Sequence, residues 1–310
     1  MNPLRSMIFT PGHRRDLIEK AIRSGADAVI VDLEDAVAIE NKVEARESLA
    51  ELPASHVPLY VRVNGPATEF VWEDVVAAAR AGVAGIVLPK AEEPGLLREI
   101  SGALTAIEIS SGHERDSIGI MPLIESGLGV RQTYEMLVSS HRIESVLFGG
   151  GEQGDLVADL GSEWTPDGTG LMLARSQVLL SARAAGIQHP MEAVFMDFRN
   201  LDALRVECEL ARRLGYVGKV AIHPAQVAVI NDVFTPAPDV VAYQRKVLAA
   251  FEEAEANGSA SIAVDGKMVD YAVARVAKVI IARAEAAERA SANADQAASS
   301  RAIEGGKEQK

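Results

Sequence analysis

Six short stretches of this 310-residue chain place acids or bases directly after an apolar run. VIVDLED brings Asp32, Glu34 and Asp35; LYVRVN brings Arg62 and Asn64; IVLPK ends in Lys90. PLIES ends in Glu125 and its Ser126, FGGGEQGD carries Glu152 and Asp155, and VAIHP brings His223 and Pro224. Carboxylates gathered from several such stretches repel one another unless a cation neutralises them. An all-oxygen set favours a hard ion such as Mg2+, and no His or Cys cluster has zinc spacing.

Each residue also has a structural reading. Asp35 reads equally as the N-cap of a following helix. Ser126 is the more natural cap beside Glu125, which leaves Glu125 for a metal or a substrate. Arg62 interrupts an apolar run, so it either pairs with a carboxylate of the preceding strand or receives an anionic substrate; the reading favours the substrate. Lys90 and His223 fit a salt bridge or a structural hydrogen bond as well as chemistry. Gly127-Leu128-Gly129 and Gly149-Gly150-Gly151 match neither the Walker nor the dinucleotide pattern.

The elements that must position these groups follow from short apolar runs bounded by turn signals. Eight strands are expected, at 6–10, 28–33, 59–63, 85–89, 118–124, 145–149, 192–196 and 218–222. Most are continuously apolar, as in parallel strands buried on both faces, and the intervening segments carry helical spacing, such as Leu17, Ile18, Ala21 and Ile22. Gly25, Gly82, Gly186 and Gly215 each end a helical run, where a left-handed residue is useful. Eight strand-then-helix units imply a closed α/β barrel, (β/α)8, whose active site lies at the C-terminal ends of the strands. An open doubly wound sheet is the competitor. The barrel is expected over 1–235. TPAPD at 235–239 leads into a C-terminal helical lid over 236–290, with a helix near 239–256, a Gly-containing loop and a second helix near 269–290, and a disordered tail at 291–310.

Composition narrows the function classes. Lys and Arg number 31 against 44 Asp and Glu, a formal net charge of −13, which argues against a nucleic-acid partner. No run reaches the roughly 18–20 apolar residues needed to cross a bilayer, so no membrane role is expected. The first residues lack a secretory h-region, and Cys208 is the single cysteine, so a cytoplasmic, reducing setting is expected.

In order along the chain, the motifs RSMIFTPG (5–12), GADAVIVDLEDAV (25–37), KVEAR (42–46), VRVN (61–64), GIVLPKAE (85–92), PLIES (122–126), GDLVADLG (154–161), GYVGKVAIHPAQV (215–227) and VDGKMVDYAVARVAKVI (264–280) are present. Together they resemble the citrate lyase beta-subunit-like family of CoA-ester lyases, related to malyl-CoA lyases and to the metal-dependent aldolases of the HpcH/HpaI superfamily. The resemblance implies a (β/α)8 barrel binding Mg2+ through Glu125 and Asp155. The family usually reads FGAEDLAADLG where this chain has the longer FGGGEQGDLVADLG, which makes Glu152 the alternative ligand to Asp155. It further implies that Arg62 binds the oxo-acid carboxylate and that Glu34 and Asp35 hold metal-bound waters. Phe9 would contact substrate, Arg14 and Lys20 the nucleotide phosphates of CoA, and Ile222 and His223 the pantetheine or thioester. Arg14, Arg15 and Arg23 read equally as solvated helix charges.

In similar stand-alone lyases the Asp of a GxMxD motif, Asp270 here, is the catalytic acid/base on a lid that closes over a neighbouring subunit. The implied reaction is cleavage of a 3-hydroxyacyl-CoA, such as malyl-CoA or citramalyl-CoA, to an acyl-CoA and a 2-oxo acid, in a homo-oligomer such as a trimer or hexamer. The rivals are an aldolase working on free 2-oxo acids without CoA, a malyl-CoA thioesterase, and a citrate lyase beta-type subunit that needs a partner.

Overall fold

A computed structural model describes residues 4–192 and 194–305, the side chains of 293–305 excepted. Two compact units divide the chain, one up to Val233 and one from Phe234 onward. In the first, eight parallel strands close into a barrel in chain order: β1 (Ser6–Pro11), β2 (Ala28–Asp32), β3 (Leu59–Arg62), β4 (Gly85–Leu88), β5 (Gly119–Ile124), β6 (Ser145–Phe148), β7 (His189–Glu192) and β8 (Gly218–Ala221). Closure is made by β8 returning to β1 with Ser6 opposite Lys219 and Met7 opposite Val220, which excludes the open sheet.

Alternate strand residues, including Met7, Ile30, Tyr60, Val87, Met121, Leu147, Met191 and Val220, form one cluster that fills the barrel. The residues between them, such as Ile8, Val29, Val61, Ile86 and Val146, are equally buried. Side chains alternate along a strand, so these must face the helical layer, and burial of both faces is why the strands read as unbroken apolar runs.

The helices that follow the strands are α1 (Arg15–Ile22), α2 (Lys42–Glu47), α3 (Val71–Arg80), α4 (Pro94–Ser111), α5 (Gly127–Leu137), α6 (Asp155–Leu160), α7 (Met172–Ala184), α8 (Leu201–Leu214) and α9 (Pro224–Phe234). Ser126 caps α5 by accepting from the Gly129 amide at 3.0 Å, as its position after PLIES suggests. Gly25, Gly82, Gly186 and Gly215 all have positive φ, between 66° and 120°.

One strand is displaced from its expected place. The seventh was expected at 192–196, yet β7 is His189–Glu192, with Ser145 opposite His189 and Phe148 opposite Glu192. Pro190 argues locally against a strand, since it has no N–H to give the ladder. Here its carbonyl still accepts from the Val217 amide at 3.0 Å, and barrel closure overrides the local preference. Val194 and Met196, assigned to the strand by their apolar character, instead line the cavity at the barrel mouth.

The second unit contains α10 (Pro238–Ala256), an antiparallel hairpin of β9 (Ile262–Val264) and β10 (Lys267–Val269), and α11 (Tyr271–Gly305). Its own core comprises Val247, Phe251, Val264, Val269, Ala274 and Ala277. The hairpin stands where the sequence suggested only a Gly-containing loop. Asp265 and Gly266 both have positive φ, 49° and 77°, as a two-residue hairpin turn demands. Backbone helix continues past residue 290, the expected end of the lid, to Gly305. The sequence there is rich in Ala and holds no Pro, so propensity does not stop it. Residues 306–310 of the expected tail lie outside the described residues.

Candidate active site

At the C-terminal ends of the strands lies a cavity of about 550 Å3. Of the residues expected to form a site, Phe9, Asp35, Arg62, Glu125, Asp155 and Ile222 line it, as do Glu152, Asp32 and Lys90. Glu34 joins them through ion pairs to Arg62 and Lys90 at 3.2 and 3.1 Å.

Arg62 is the last residue of β3 and sits in register with Asp32, the last of β2. Its Nε and Nη2 donate to the two carboxylate oxygens of Asp32, each at 2.7 Å. Nη1 lies 3.2 Å from Glu34 and 3.2 Å from Asp35, and the guanidinium rests 4.6 Å from the Phe9 ring centroid. Burial works against the charge, but the bonds to Asp32 outweigh it and hold Arg62 more firmly cationic than usual. The structural reading of Arg62 is therefore realised on one edge, while the residue still lines the cavity.

Asp32 also accepts from the Glu34 and Ala36 amides at 2.9 and 3.1 Å, so it shapes the turn that presents Glu34 and Asp35. Asp35 itself serves Arg62, and no cap bond is made by it. Lys42 of KVEAR closes this loop by donating to the Leu33 and Glu34 carbonyls at 2.9 and 2.8 Å. Asn64 is buried and donates to Asp74 at 2.6 Å, a structural use.

Glu125 ends β5. Burial pushes its carboxyl up to about 7; Arg62 opposes the rise and Glu34 adds to it. Burial likewise raises Glu34, against the pull of Arg62. The triple-glycine run after β6 has its use here: a Cβ on Gly149 would come within 2.5 Å of the Glu125 Cγ, so only glycine allows this approach. Lys90 is in the left-handed region at φ 48°, uncommon outside glycine. Its amide donates to Glu125 at 3.2 Å, and its ammonium lies 3.2 Å from Asp155 at the start of α6. Buried Thr10 also lines the cavity, with no hydrogen bond to its hydroxyl among the described residues.

Within the barrel unit, Arg14, Lys20 and His223 are not among the residues that line this cavity. Arg14 and Lys20 are exposed on and beside α1, and Arg14 is paired with Asp16 at 2.9 Å, so the solvated-charge reading describes their placement. His223 is exposed, stacks on Phe198 at 4.8 Å, and its Nδ1 accepts from the Ala225 amide at 3.1 Å. It acts as a turn residue at the start of α9. Asp270 belongs to the C-terminal unit, where it accepts from the Ala272 and Val273 amides at 2.9 and 3.0 Å and caps α11.

The donor chemistry fits a hard divalent cation. All candidate ligands are oxygens, and the acids lining the cavity, Asp32, Asp35, Glu125, Glu152 and Asp155, outnumber Arg62 and Lys90. Among the described residues no three His, Cys, Asp or Glu side chains gather as a metal cage. Mg2+ needs none, since it commonly takes one or two carboxylates and keeps waters or substrate oxygens in its other positions. Glu125, Glu152 and Asp155 all line the cavity and supply such oxygens. The sequence placed Asp32 among the strand-end acids without a role and left Lys90 between a salt bridge and chemistry; the signal for both was position, one at the last residue of a barrel strand and one just beyond it.

Comparison with known proteins agrees with this architecture. The family model described as HpcH/HpaI aldolase/citrate lyase matches residues 5–224. The chain is 33% identical to the citrate lyase subunit beta of Haemophilus influenzae, covering 92% of this chain and 98% of that one. It is 34% identical to a (3S)-malyl-CoA thioesterase of Cereibacter sphaeroides, over 92% and 96% of the two chains. It is also 34% identical to an L-malyl-CoA/beta-methylmalyl-CoA lyase of Rhodobacter capsulatus, over 92% and 95%. A crystal structure of the protein CitE from Mycobacterium tuberculosis, in complex with magnesium, acetoacetate and coenzyme A, superposes with a TM-score of 0.72 at 29% identity, covering 92% of this chain and 98% of that one. The barrel, the acidic cavity at its mouth and these matches place the chain in the HpcH/HpaI aldolase/citrate lyase family, a family of enzymes.

Proposed function

We propose that this enzyme is a CoA-ester lyase that cleaves, or in reverse forms, a 3-hydroxyacyl-CoA such as malyl-CoA or citramalyl-CoA, giving an acyl-CoA and a 2-oxo acid. The observation that carries the reading is the meeting of Glu125, Asp155 and Arg62 in one cavity, with burial holding Glu125 at about 7. Glu125 and Asp155 would hold Mg2+, which supplies Lewis-acid polarisation of a carboxylate and carbonyl oxygen when bound. Arg62, fixed by Asp32, lines the same cavity and pairs with the carboxylate that the oxo acid carries throughout. As the carbon–carbon bond breaks, the hydroxyl gives its proton to an ionised carboxylate of the cavity and its oxygen becomes the oxo-acid carbonyl. The bonding electrons pass to the acyl-CoA as an enolate, and Asp270 returns a proton to its α-carbon. In the condensing direction Asp270 removes that proton.

A second reading is favoured by one comparison, the 34% identity to a malyl-CoA thioesterase. Hydrolysis would give free CoA and malate. Purified protein with Mg2+ is offered malyl-CoA and citramalyl-CoA separately, and the oxo acid and free thiol are followed in parallel. Oxo acid without thiol is expected. Thiol without oxo acid would move the assignment to a thioesterase, and silence in both channels to a CoA-independent aldolase or a partner-dependent subunit. The proposal includes a homo-oligomer, trimer or hexamer, which sedimentation checks. Among the described residues no helix is long and apolar enough to cross a membrane.

A further inference from the structure

Lys90, like Arg62, touches three acids of the cavity. Its ammonium is 3.1 Å from Glu34 and 3.2 Å from Asp155, and its amide donates to Glu125 at 3.2 Å. A lysine so placed sits where charge compensation is needed, beside a carboxylate that the proposed metal would also need. Its backbone is in the left-handed region, a conformation that a non-glycine residue adopts at a cost. That conformation puts the amide against Glu125 while the side chain reaches the acids beyond.

We propose that Lys90 is a positioning residue that sets the metal affinity of the Glu125–Asp155 pair: its ammonium is the resident counter-ion of Asp155, which an entering divalent cation displaces, while its amide holds Glu125 in place. The inference rests on the metal reading given above. A cation arriving at Asp155 meets an ammonium already 3.2 Å away, and two like charges cannot share that carboxylate without loss. Glu34, buried and 3.1 Å from the same ammonium, keeps Lys90 anchored when Asp155 is taken, so the side chain exchanges one of two partners and is not expelled into water.

The consequence is opposite in sign to that of a merely structural salt bridge. Removing the side chain should weaken the metal-free protein and strengthen metal binding. Lys90→Gly suits the test, because glycine accepts the positive φ and keeps the amide for Glu125. Lys90→Asn, also tolerated there, is the second variant. Isothermal titration with Mg2+ and with Mn2+, and thermal unfolding with and without each ion, are run on the full chain. The expected result is metal binding tighter by about tenfold in both variants, a lower unfolding temperature without metal, and a larger metal-induced rise. If wild type binds metal and the variants bind it equally or more weakly, the inference about Lys90 is overturned and the metal reading stands. If no chain binds either ion, the metal reading falls and the inference falls with it.

Discussion

Asp32 and Arg62 are cross-strand neighbours at the ends of β2 and β3, joined by two parallel hydrogen bonds of 2.7 Å. Both are buried, at 1% and 8% exposure, so the pair is held away from the solvent that makes surface ion pairs weak. Asp32 thereby does two things: it fixes the arginine fork, and through the Glu34 and Ala36 amides it fixes the loop carrying the other acids.

Truncating Asp32 should therefore cost both stability and activity. Asp32→Ala strips two hydrogen bonds from a buried guanidinium, and removing one partner of a buried pair typically costs about 3–5 kcal/mol. Asp32→Asn retains an acceptor and should cost less. Urea denaturation measures the difference. Equal stability of the alanine variant and wild type would show that Glu34 and Asp35 suffice to hold Arg62.

Glu125 makes the pH dependence specific. Its carboxyl is pushed up to about 7, above the ordinary value of 4.5, so the folded chain favours its protonated form. In that window the unfolded state binds fewer protons, and stability falls as pH rises from about 4.5 through about 7. Glu125→Gln should flatten this part of a metal-free profile of unfolding temperature against pH. Metal requires the ionised carboxylate, so Mg2+ affinity should rise through about pH 7 with release of a proton. A stability profile that is the same in the glutamine variant as in wild type would assign the slope to other groups.

Much of this arrangement was legible before the structure. The strand-end rule located Arg62, Glu125 and Asp155 together because a closed barrel leaves one mouth for residues that follow its strands. Asp32 was harder, since the last residue of AVIVD gives no sign of its cross-strand partner; the register supplies that. Lys90 was undervalued because its importance depends on a positive φ that a lysine does not announce. The β7 slip came from weighing apolar EAVFM above HPME, when barrel closure decided the matter. Asp265-Gly266 was the missed local signal, a strong hairpin dipeptide read as loop.

Another feature hidden in the sequence is a buried ionic cluster linking α7, β7, α8 and β8. Arg175 lies 2.9 Å from Glu192 and 3.5 Å from Glu207, whose other oxygen is 3.5 Å from Lys219; all are buried. Lys219→Met should destabilise by about 3–5 kcal/mol by leaving Glu207 under-compensated, and adding Glu207→Gln should recover part of the loss. A double-mutant cycle by urea denaturation reads the coupling. Additive effects would mean that the two charges do not act as a pair. None of the four lines the cavity, so turnover of the folded fraction should be preserved.

For Asp270 the proposed acid/base role and the observed helix cap are separated by one substitution. Its carboxylate caps α11 through the Ala272 and Val273 amides, which by itself would explain an aspartate there. Asparagine is as good a cap, because its side-chain oxygen accepts the same bonds, but it cannot exchange a proton. Asp270→Asn should leave unfolding temperature nearly unchanged and Mg2+ affinity unaltered, while turnover of malyl-CoA or citramalyl-CoA falls by roughly 10²–10⁴-fold, the usual contribution of a general acid/base. Asp270→Ala should lose the same turnover and, in addition, about 1 kcal/mol of stability with the cap. An asparagine variant as active as wild type would reduce Asp270 to a helix cap and leave the acid/base to be sought among the other carboxylates. The pair of variants thus distinguishes chemistry from capping without relying on loss of activity alone.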